Sequence, residues 1–281
     1  MAERVGGPQS LADKAISGVR AFWYAVSEPA LLAAAREIHG WRYADPAARP
    51  LISVYVPTYN RAELLLARAV PSVLAQTYRN FEFIILGDCC TDDTAARVAA
   101  VGDPRIRFHN LPARGYRYPP TAENHWFAGP VVAANAALRL VRGDWIARID
   151  DDDLWTPDHL EVLLAHAQAH DLEFVSAAYE RERDGLREVV DCRGEVPRIG
   201  GTQTWLYRSY LSLFRYNIDC WRKAWNRVND TDIQDRMWKA GVRMGFLDRV
   251  VAQILPRPGD TTIGLQAYLR RQGEMQEHFR F

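Results

Sequence analysis

The 281-residue sequence predicts an α/β fold built on a mostly parallel sheet. Two observations support this fold class. Short apolar runs rich in β-branched and aromatic residues alternate with segments of helical periodicity, and each early run ends in a polar turn. Apolar runs of this kind are typical of strands that are covered on both faces. Strands that alternate with helices predict right-handed crossovers, which place neighbouring strands parallel.

The composition is that of an ordinary globular protein, with 48% hydrophobic and 25% charged residues. Lys and Arg together number 35, as do Asp and Glu, so no net positive field would recruit nucleic acid. No run of about 18 apolar residues is present, and the first residues lack the basic start and apolar core of a signal peptide. The four cysteines have no C-x-x-C spacing, so neither a zinc site nor a disulfide framework is indicated. We therefore expect a cytoplasmic protein.

Residues 1–50 are predicted to form a helical extension, after a loose start over residues 1–9. From Ser10 to Val26, apolar residues recur at helical spacing. Ser27-Glu28-Pro29 then has the composition of a cap followed by a new helix start, and Gly40 that of a stop, so the pattern predicts a helical hairpin. The hairpin would cover the main domain. The alternatives are a partner-binding helix or a membrane-surface helix. A homodimer and a peripheral association with the inner face of the membrane are therefore both compatible with the sequence.

The main domain is predicted to have two halves, residues 51–155 and 156–255, followed by a tail over residues 256–281. Strands are expected at 51–56, 81–86, 105–108, 143–149, 173–178 and 242–252, and helices at 61–76, 94–100, 126–141, 157–170 and 230–240. The segment 110–124 is predicted to be a loop, and 181–203 a loop or hairpin. The second half therefore has a less regular pattern than the first.

The most unusual stretch is the acidic run Asp150-Asp151-Asp152-Asp153, which follows the strand predicted at 143–149. In open α/β sheets, ligands bind beyond the carboxyl ends of the strands. Adjacent carboxylates repel one another unless a cation joins them, and their hard oxygens suit Mg²⁺ or Mn²⁺. Because Mg²⁺ usually leaves positions for substrate phosphates, the run predicts a metal-diphosphate site. A solvated acidic surface is the plainer alternative.

Two further strand ends carry polar residues, Pro57-Thr58-Tyr59-Asn60 after the first strand and Asp88 after the second. The carboxyl ends of parallel strands meet at one edge of a sheet. We therefore expect these residues and the acidic run to converge on one ligand.

With these stretches the sequence resembles the inverting glycosyltransferases of family 2, which have a GT-A fold with a Rossmann-like, mostly parallel sheet flanked by helices. The matching stretches are ISVYVPTYNRAE at 52–63, SVLAQTYRNFEFIILGD at 72–88, CTDDT at 90–94 and GDWIARIDDDDLWTPDHL at 143–160. The resemblance covers residues 51–250 and weakens after residue 160. It implies a mixed, acceptor-binding second half.

The resemblance also implies an activity. It is a metal-dependent transfer, with inversion, of a sugar from a nucleotide-diphosphate donor. A UDP-sugar is the favoured donor, Mn²⁺ or Mg²⁺ the cofactor, and the acceptor is a hydroxyl of a glycan, a lipid-linked sugar or a small molecule. A non-catalytic nucleotide-sugar-binding subunit of a glycan assembly complex is the alternative.

The resemblance assigns the nucleotide to the first two strand ends. Pro57 and Tyr59 would border the base, and Asp88 would accept a hydrogen bond from the base or the ribose. The plainer alternatives are that Tyr59 packs in the core and that Asp88 caps a helix.

The acidic run matches the D-x-D motif of the family. Asp152 corresponds to the metal-binding carboxylate and Asp150 to its partner in the motif. Asp151 and Asp153 would flank the sugar and the ribose of the donor.

The catalytic base is expected in the second half. Asn229-Asp230-Thr231-Asp232 opens a helical segment that ends in Ala-Gly241, which resembles the acidic pair of the family. Asp230 is the first choice for the base and Asp232 the second, since a carboxylate within hydrogen-bond reach can take the proton of the acceptor hydroxyl. Both could instead be acids that favour a helix N-terminus.

Three departures from the family pattern are present. Gly87-Asp88-Cys89-Cys90 stands where the family often has Asp-Asp-Gly-Ser, and Asn229 replaces the usual Glu. Ala134-Asn135 replaces an Arg-Asn pair, so an arginine on the phosphate side must come from elsewhere. Arg114 and Arg117 are the candidates, although either can be surface charge.

Overall fold

A computed structural model describes residues 10–115 and 117–273. The loose start predicted for residues 1–9 and the last eight residues of the predicted tail lie outside these ranges. The described chain is an α/β structure in which helices cover both faces of one curved sheet.

The chain begins with one long helix, α1 (Leu11–His39), so the predicted hairpin is wrong. The hydroxyl of Ser27 donates to the carbonyl of Trp23 at 2.8 Å instead of starting a new helix. Pro29 removes one backbone hydrogen bond inside the helix. However, Glu28 and Leu32 on either side of it are buried against the body, so tertiary contacts keep the helix continuous.

Nine strands of the described chain form one sheet in the order β3-β2-β1-β4-β8-β6-β9-β5, with β7 paired to β6. The strands are β1 (Ile52–Thr58), β2 (Phe81–Gly87), β3 (Ile106–Asn110), β4 (Trp145–Arg148), β5 (Asp153–Trp155), β6 (Phe174–Arg183), β7 (Leu186–Val190), β8 (Leu206–Arg208) and β9 (Met244–Ile254). The first four strands are parallel, as predicted. In the second half β8 runs antiparallel to β4 and β6, whereas β6 and β9 are parallel, so this half is mixed.

The remaining helices are α2 (Ala62–Ala67), α3 (Ala69–Leu74), α4 (Thr94–Ala100), α5 (Ala122–Ala128), α6 (Val131–Ala137), α7 (His159–Ala169), α8 (Asn229–Lys239) and α9 (Leu265–Arg270). Four 3₁₀ helices, at Gly40–Tyr43, Thr202–Thr204, Ser209–Leu213 and Ile218–Arg222, complete the helical elements of the described residues. The helices predicted at 61–76 and 126–141 are each divided in two. The backbone of Arg68 leaves the helical region between α2 and α3, and Pro130, which lacks an N–H, separates α5 from α6.

The core lies on both faces of the sheet, which explains the continuous apolar strands. In β1, Val54 and Val56 pack on the side of α2, α3 and α7, whereas Tyr55 packs on the side of α1 and α6. Each of these side chains is fully buried. Alternate strand residues point to opposite faces, so apolar residues are favoured at successive positions of the strand.

A buried carboxylate, Glu173, fastens the C-terminal end of α1 to the sheet. It accepts hydrogen bonds from Arg36 at 2.7 and 2.6 Å, from the Tyr210 hydroxyl at 2.6 Å and from the backbone N–H of Arg243 at 2.7 Å. Burial by itself would raise the pKa of Glu173, but these donors outweigh it and lower the pKa to about 2. The folded state therefore favours the ionised form.

Glu173→Gln is expected to destabilise the protein by about 2–3 kcal/mol at pH 7, because a buried charge-assisted network loses its acceptor. A folded pKa below the ordinary value of 4.5 stabilises the protein above pH 4.5. This contribution is lost as the pH falls towards 2. The difference between wild type and variant should therefore shrink by about 2 kcal/mol between pH 7 and pH 3, as measured by urea unfolding. A difference that is the same at both pH values would contradict this account, and Glu37→Gln on the exposed side of α1 is the control.

Candidate active site

The strand ends meet as the sequence predicts. Thr58 lies beside Gly87 in the register of β1 and β2, and the backbone N–H of Asp88 donates to the carbonyl of Thr58 at 2.8 Å. On the other side of β1, the N–H of Ile149 donates to Tyr55 at 3.1 Å, and the acidic run follows directly. The parallel register thus places all three polar segments at one edge.

Two adjoining clefts open at this edge. The first cleft has a volume of about 110 Å³ and is lined by Pro57, Thr58, Tyr59, Arg61, Asp88, Arg114, His125, Arg148 and Asp151, among others. The second cleft has a volume of about 410 Å³ and is lined by Trp126, Asp153, Tyr179, Arg181, Gln203, Asp230 and Leu265, among others. Asp150, Asp152, Arg257 and Tyr268 line both. The two clefts are therefore one groove with these four side chains at its middle.

Asp150 and Asp152 are the carboxylates that face the middle of the groove. Asp152 accepts a hydrogen bond from Nε of Arg257 at 2.6 Å, and Arg61 lies 3.8 Å away. Burial opposes ionisation of Asp152, but these two guanidinium groups outweigh it and lower the pKa of Asp152. Asp150 is more exposed and accepts hydrogen bonds from Arg148 at 3.2 and 2.9 Å.

The other two carboxylates of the run are buried. Asp151 accepts hydrogen bonds from the Thr58 hydroxyl at 2.7 Å and from Arg61 at 3.0 Å, yet burial raises its pKa. Asp153 belongs to β5 and pairs with Ile254 of β9. Burial and the three neighbouring carboxylates raise the pKa of Asp153 well above the ordinary value.

The donor atoms in the middle of the groove suit a divalent metal. In the described ranges, no three His, Cys, Asp or Glu side chains gather in a way that could hold a metal ion. A full protein cage is not needed for Mg²⁺, which usually takes one or two carboxylates and completes its shell with water and phosphate oxygens. Asp150 and Asp152 can supply those two carboxylates once Arg257 releases Asp152.

Asp88 is held by arginines of the loop predicted at 110–124. Both of its oxygens accept hydrogen bonds from Arg117 at 2.6 Å, and Arg114 lies 3.4 Å away. The guanidinium of Arg114 also lies over the ring of Tyr59, 4.0 Å from its centroid. A ligand that reaches Asp88 must therefore share it with Arg117. Cys89, which stands where the family often has glycine, has a φ of 63° in the left-handed region that favours glycine.

The two candidate bases point to different places. Asp230, in the first turn of α8, lines the second cleft, and its carboxylate accepts a hydrogen bond from the N–H of Thr231 at 2.7 Å. Burial raises the pKa of Asp230, and Asp150 adds to the effect, whereas the Thr231 N–H and Arg148 oppose it. Asp232 lies outside the groove, where it accepts a hydrogen bond from Arg236 at 2.9 Å.

Asp232 instead lines a third cavity, between α1 and α8, together with Glu28. Arg236 is buried between these two carboxylates and also pairs with Glu28. Residues two apart on a helix point about 200° apart, which explains why Asp230 and Asp232 serve different sites.

Sequence reasoning did not identify three arginines of the groove, Arg61, Arg148 and Arg257. Arg61 and Arg148 lie within stretches that match the family, next to the strand ends. Their positions in the sequence could therefore have identified them as residues of the groove. Arg257 lies in the predicted tail, and no local pattern marks it. Its side chain spans from Asp152 to the hydroxyl of Tyr268, which is 3.0 Å away.

Known proteins resemble this chain in sequence over its central part. The model of the family "Glycosyl transferase family 2" matches residues 53–223. The chain is 39% identical over 149 residues to the putative colanic acid biosynthesis glycosyl transferase WcaA of Escherichia coli (strain K12), covering 52% of this chain and 45% of the relative. It is 31% identical over 130 residues to the UDP-Glc:alpha-D-GlcNAc-diphosphoundecaprenol beta-1,3-glucosyltransferase WfgD of Escherichia coli, covering 46% of each. The chain thus spans about half the length of these curated relatives.

Solved structures support the fold. The mannosyltransferase PcManGT from Pyrobaculum calidifontis, in complex with GDP-Man and Mn²⁺, superposes with a TM-score of 0.57 at 21% identity. The match covers 84% of this chain and 69% of that one. At this identity, the likeness shows a shared GT-A fold, which confirms the predicted fold class.

Proposed function

The chain belongs to glycosyl transferase family 2, and from this premise we propose that it is a glycosyltransferase. It moves a sugar from a nucleotide-diphosphate donor to an acceptor hydroxyl. The observation that carries the proposal is the single groove in which Asp150 and Asp152 lie between a first cleft at the strand ends and a second cleft that contains Asp230.

The donor is proposed to occupy the first cleft. Tyr59 with the overlying Arg114 offers a flat wall for a base, and Asp88 can accept a hydrogen bond from the base or the ribose. Arg61, with Arg257 at the junction of the two clefts, supplies positive charge for a diphosphate. A UDP-sugar is the favoured donor, because the name of the relative WfgD specifies UDP-Glc.

Asp152, with Asp150 as its partner, would hold Mn²⁺ or Mg²⁺, since hard carboxylate oxygens are the ligands these ions prefer. A metal bound there would stabilise the negative charge of the departing diphosphate. Without a metal, Arg257 neutralises Asp152. A metal that displaced Arg257 would free its guanidinium to bind the same phosphates. The solved structure of PcManGT with GDP-Man and Mn²⁺ supports a metal of this class.

Asp230 is proposed as the general base. It faces the second cleft, where the acceptor would bind, and it takes the proton of the acceptor hydroxyl as the hydroxyl oxygen attacks the anomeric carbon. The bond to the diphosphate breaks in the same displacement, so the configuration inverts and no enzyme nucleophile is needed. Asp232 is assigned a structural role, because Arg236 holds it away from the groove.

A non-catalytic subunit that binds the nucleotide sugar is the second candidate. It is favoured by the arginines that already engage Asp88 and Asp152, and by Asn229 in place of the family's Glu. Detectable transfer to an acceptor, or slow hydrolysis of the donor, would rule out this candidate.

UDP with Mn²⁺ is expected to raise the melting temperature by about 5 °C or more at saturating concentration, because a ligand present at 100 times its dissociation constant stabilises by about 2.7 kcal/mol. ADP with Mn²⁺ is the matched control for the base, and UDP with EDTA the control for the metal. A protein whose melting temperature responds to no nucleoside diphosphate would contradict the proposed function. A response to GDP alone would change the donor class and leave the rest intact.

A further inference from the structure

The solvent-facing side of α1 is apolar from Leu11 to Ala34, and the exposed Glu37 follows on the same side. Six large side chains on it are 42–86% exposed: Leu11, Ile16, Val19, Phe22, Trp23 and Val26. Five exposed alanines, Ala12, Ala15, Ala30, Ala33 and Ala34, lie on the same side. At about 100° per residue these eleven positions fall within an arc of about 140°. We call this surface the α1 stripe.

The polarity of α1 is the reverse of that of an ordinary surface helix. The side turned towards the body carries its charged groups, with Asp13 paired to Arg222, Glu28 to Arg236 and Arg36 to Glu173. A surface helix normally turns its apolar stripe inwards and its charges to water. Ion pairs rather than apolar burial thus account for much of how α1 is held, and the apolar side is left for something outside the chain.

The α1 stripe is large for a surface that water alone covers. Phe22 is 71% and Trp23 67% exposed, and aromatic side chains of this kind bury about 150–250 Å² each when covered. With the four aliphatic residues and the alanines, the stripe is an apolar surface that extends over about six turns of α1. Surfaces of this size mark contacts with proteins or membranes.

We propose that the α1 stripe rests on a lipid surface and holds the enzyme next to a lipid-linked acceptor. The width of the stripe favours lipid over a second copy of the helix, since pairing of two helices needs only a narrow seam. Trp and Phe beside aliphatic residues are typical of helices that lie in the membrane interface. Lys14 lies near the N-terminal end of α1, about 60° around the helix from the edge of the stripe. It is exposed and has no ion-pair partner in the parts of the chain that the structure describes, so its long side chain can reach anionic headgroups.

The position of the stripe agrees with this role. Near the N-terminal end of α1, Asp13 and Arg20 pair with Arg222 and Asp219 of the 3₁₀ helix at Ile218–Arg222. That 3₁₀ helix packs against α5, which carries Trp126 of the second cleft. The stripe therefore begins on the half of the molecule where the acceptor is proposed to bind.

The chemistry of the acceptor points the same way, and this step rests on the proposed function. The name of the relative WfgD specifies a diphosphoundecaprenol acceptor, whose lipid chain keeps it in a bilayer. Over residues 10–115 and 117–273, no helix combines the length and apolar character that crossing a bilayer requires. A helix that lies flat with one apolar side in the interface provides contact without a span.

Vesicle flotation tests the proposal on the full chain. Vesicles of phosphatidylethanolamine and phosphatidylglycerol are expected to bind the wild type, and vesicles of phosphatidylcholine alone to bind it more weakly. The double variant F22S/W23S should lower the vesicle-binding constant by at least about tenfold, because two large apolar side chains no longer enter the lipid. Leu31→Ser is the matched control, since Leu31 is 52% exposed on α1 but lies about 180° around the helix from Phe22.

Two further measurements separate this proposal from the proposed function. The thermal shift with UDP and Mn²⁺ should be the same in F22S/W23S as in the wild type, which also shows that the variant folds. The proposal would be overturned if the wild-type protein did not bind anionic vesicles. It would also be overturned if F22S/W23S bound these vesicles as tightly as the wild-type protein does. A wild-type dimer that F22S/W23S converts to a monomer, without vesicle binding, would instead assign the stripe to a second copy of the chain.

Discussion

Asp230→Asn is expected to lower kcat by about 10²–10⁴-fold, the contribution of a positioned general base. The amide keeps the size of the side chain but cannot take the proton of the acceptor hydroxyl. Binding of UDP with Mn²⁺ should not change, because Asp230 lines the second cleft and not the first. Initial rates of sugar transfer, together with calorimetric titration of UDP, measure both quantities.

Asp232→Asn is the matched control, with the same substitution two residues further along α8. It is expected to reduce stability by about 1–3 kcal/mol, because Arg236 keeps one of its two buried carboxylate partners. Its kcat should stay within a few-fold of the wild type. A large loss of kcat in Asp232→Asn with little loss in Asp230→Asn would reverse the assignment.

The pH profile gives a second readout of the same residue. Burial and the nearby Asp150 raise the pKa of Asp230 above its ordinary value of 3.8. The base works only when ionised, so kcat/KM should fall on the acid side at a pH above this ordinary value. That acid limb should disappear from the residual activity of Asp230→Asn.

Asp152→Asn is expected to lower Mn²⁺-dependent UDP affinity and sugar transfer by on the order of 10²–10³-fold, and Asp152→Ala to abolish both. The physical reason is the loss of the proposed metal-binding carboxylate, which also leaves Arg257 without its partner. Titration of UDP with and without Mn²⁺ separates the metal-dependent part of the affinity. Asp158→Asn is the control, since Asp158 pairs with Arg249 at the surface.

Arg257→Gln sharpens this test. In the variant no guanidinium from the C-terminal segment competes for Asp152, so binding of Mn²⁺ without nucleotide should become tighter. Sugar transfer should nevertheless fall, because the guanidinium proposed to bind the diphosphate is missing from the variant. Unchanged Mn²⁺ affinity in Arg257→Gln, with full transfer in Asp152→Asn, would remove the acidic run from the catalytic site.

The predictions from the sequence were most accurate where the signal is local. The strands at 51–56 and 81–86 were predicted because both faces of each are covered, so the apolar run is continuous in the chain. The same reasoning placed Asp88 and the acidic run at one edge. It did not see that Arg117 already holds Asp88, because that pair depends on how the 110–124 loop folds back over the sheet.

Helix boundaries were less accurate, for reasons that also lie in tertiary contacts. Ser27-Glu28-Pro29 has the composition of a helix start, yet Glu28 is drawn into a buried pair with Arg236, more than 200 residues away in the sequence. The local preference for a break is weaker than the contacts of Glu28 and Leu32 with the body. The exposed apolar side of α1 follows from the same arrangement, since the charged side is the one turned inwards.

By itself, the sequence determined the α/β class, the parallel first half and the edge at which the polar strand ends meet, because strand periodicity and turn chemistry act between near neighbours in the chain. Only the tertiary structure decided which acidic residues share the groove. It placed Asp230 beside Asp150 and turned Asp232 away, and it brought Arg257 to Asp152 across 105 positions. Such pairings form when distant segments pack, and the free energy that selects them is not encoded in any local pattern.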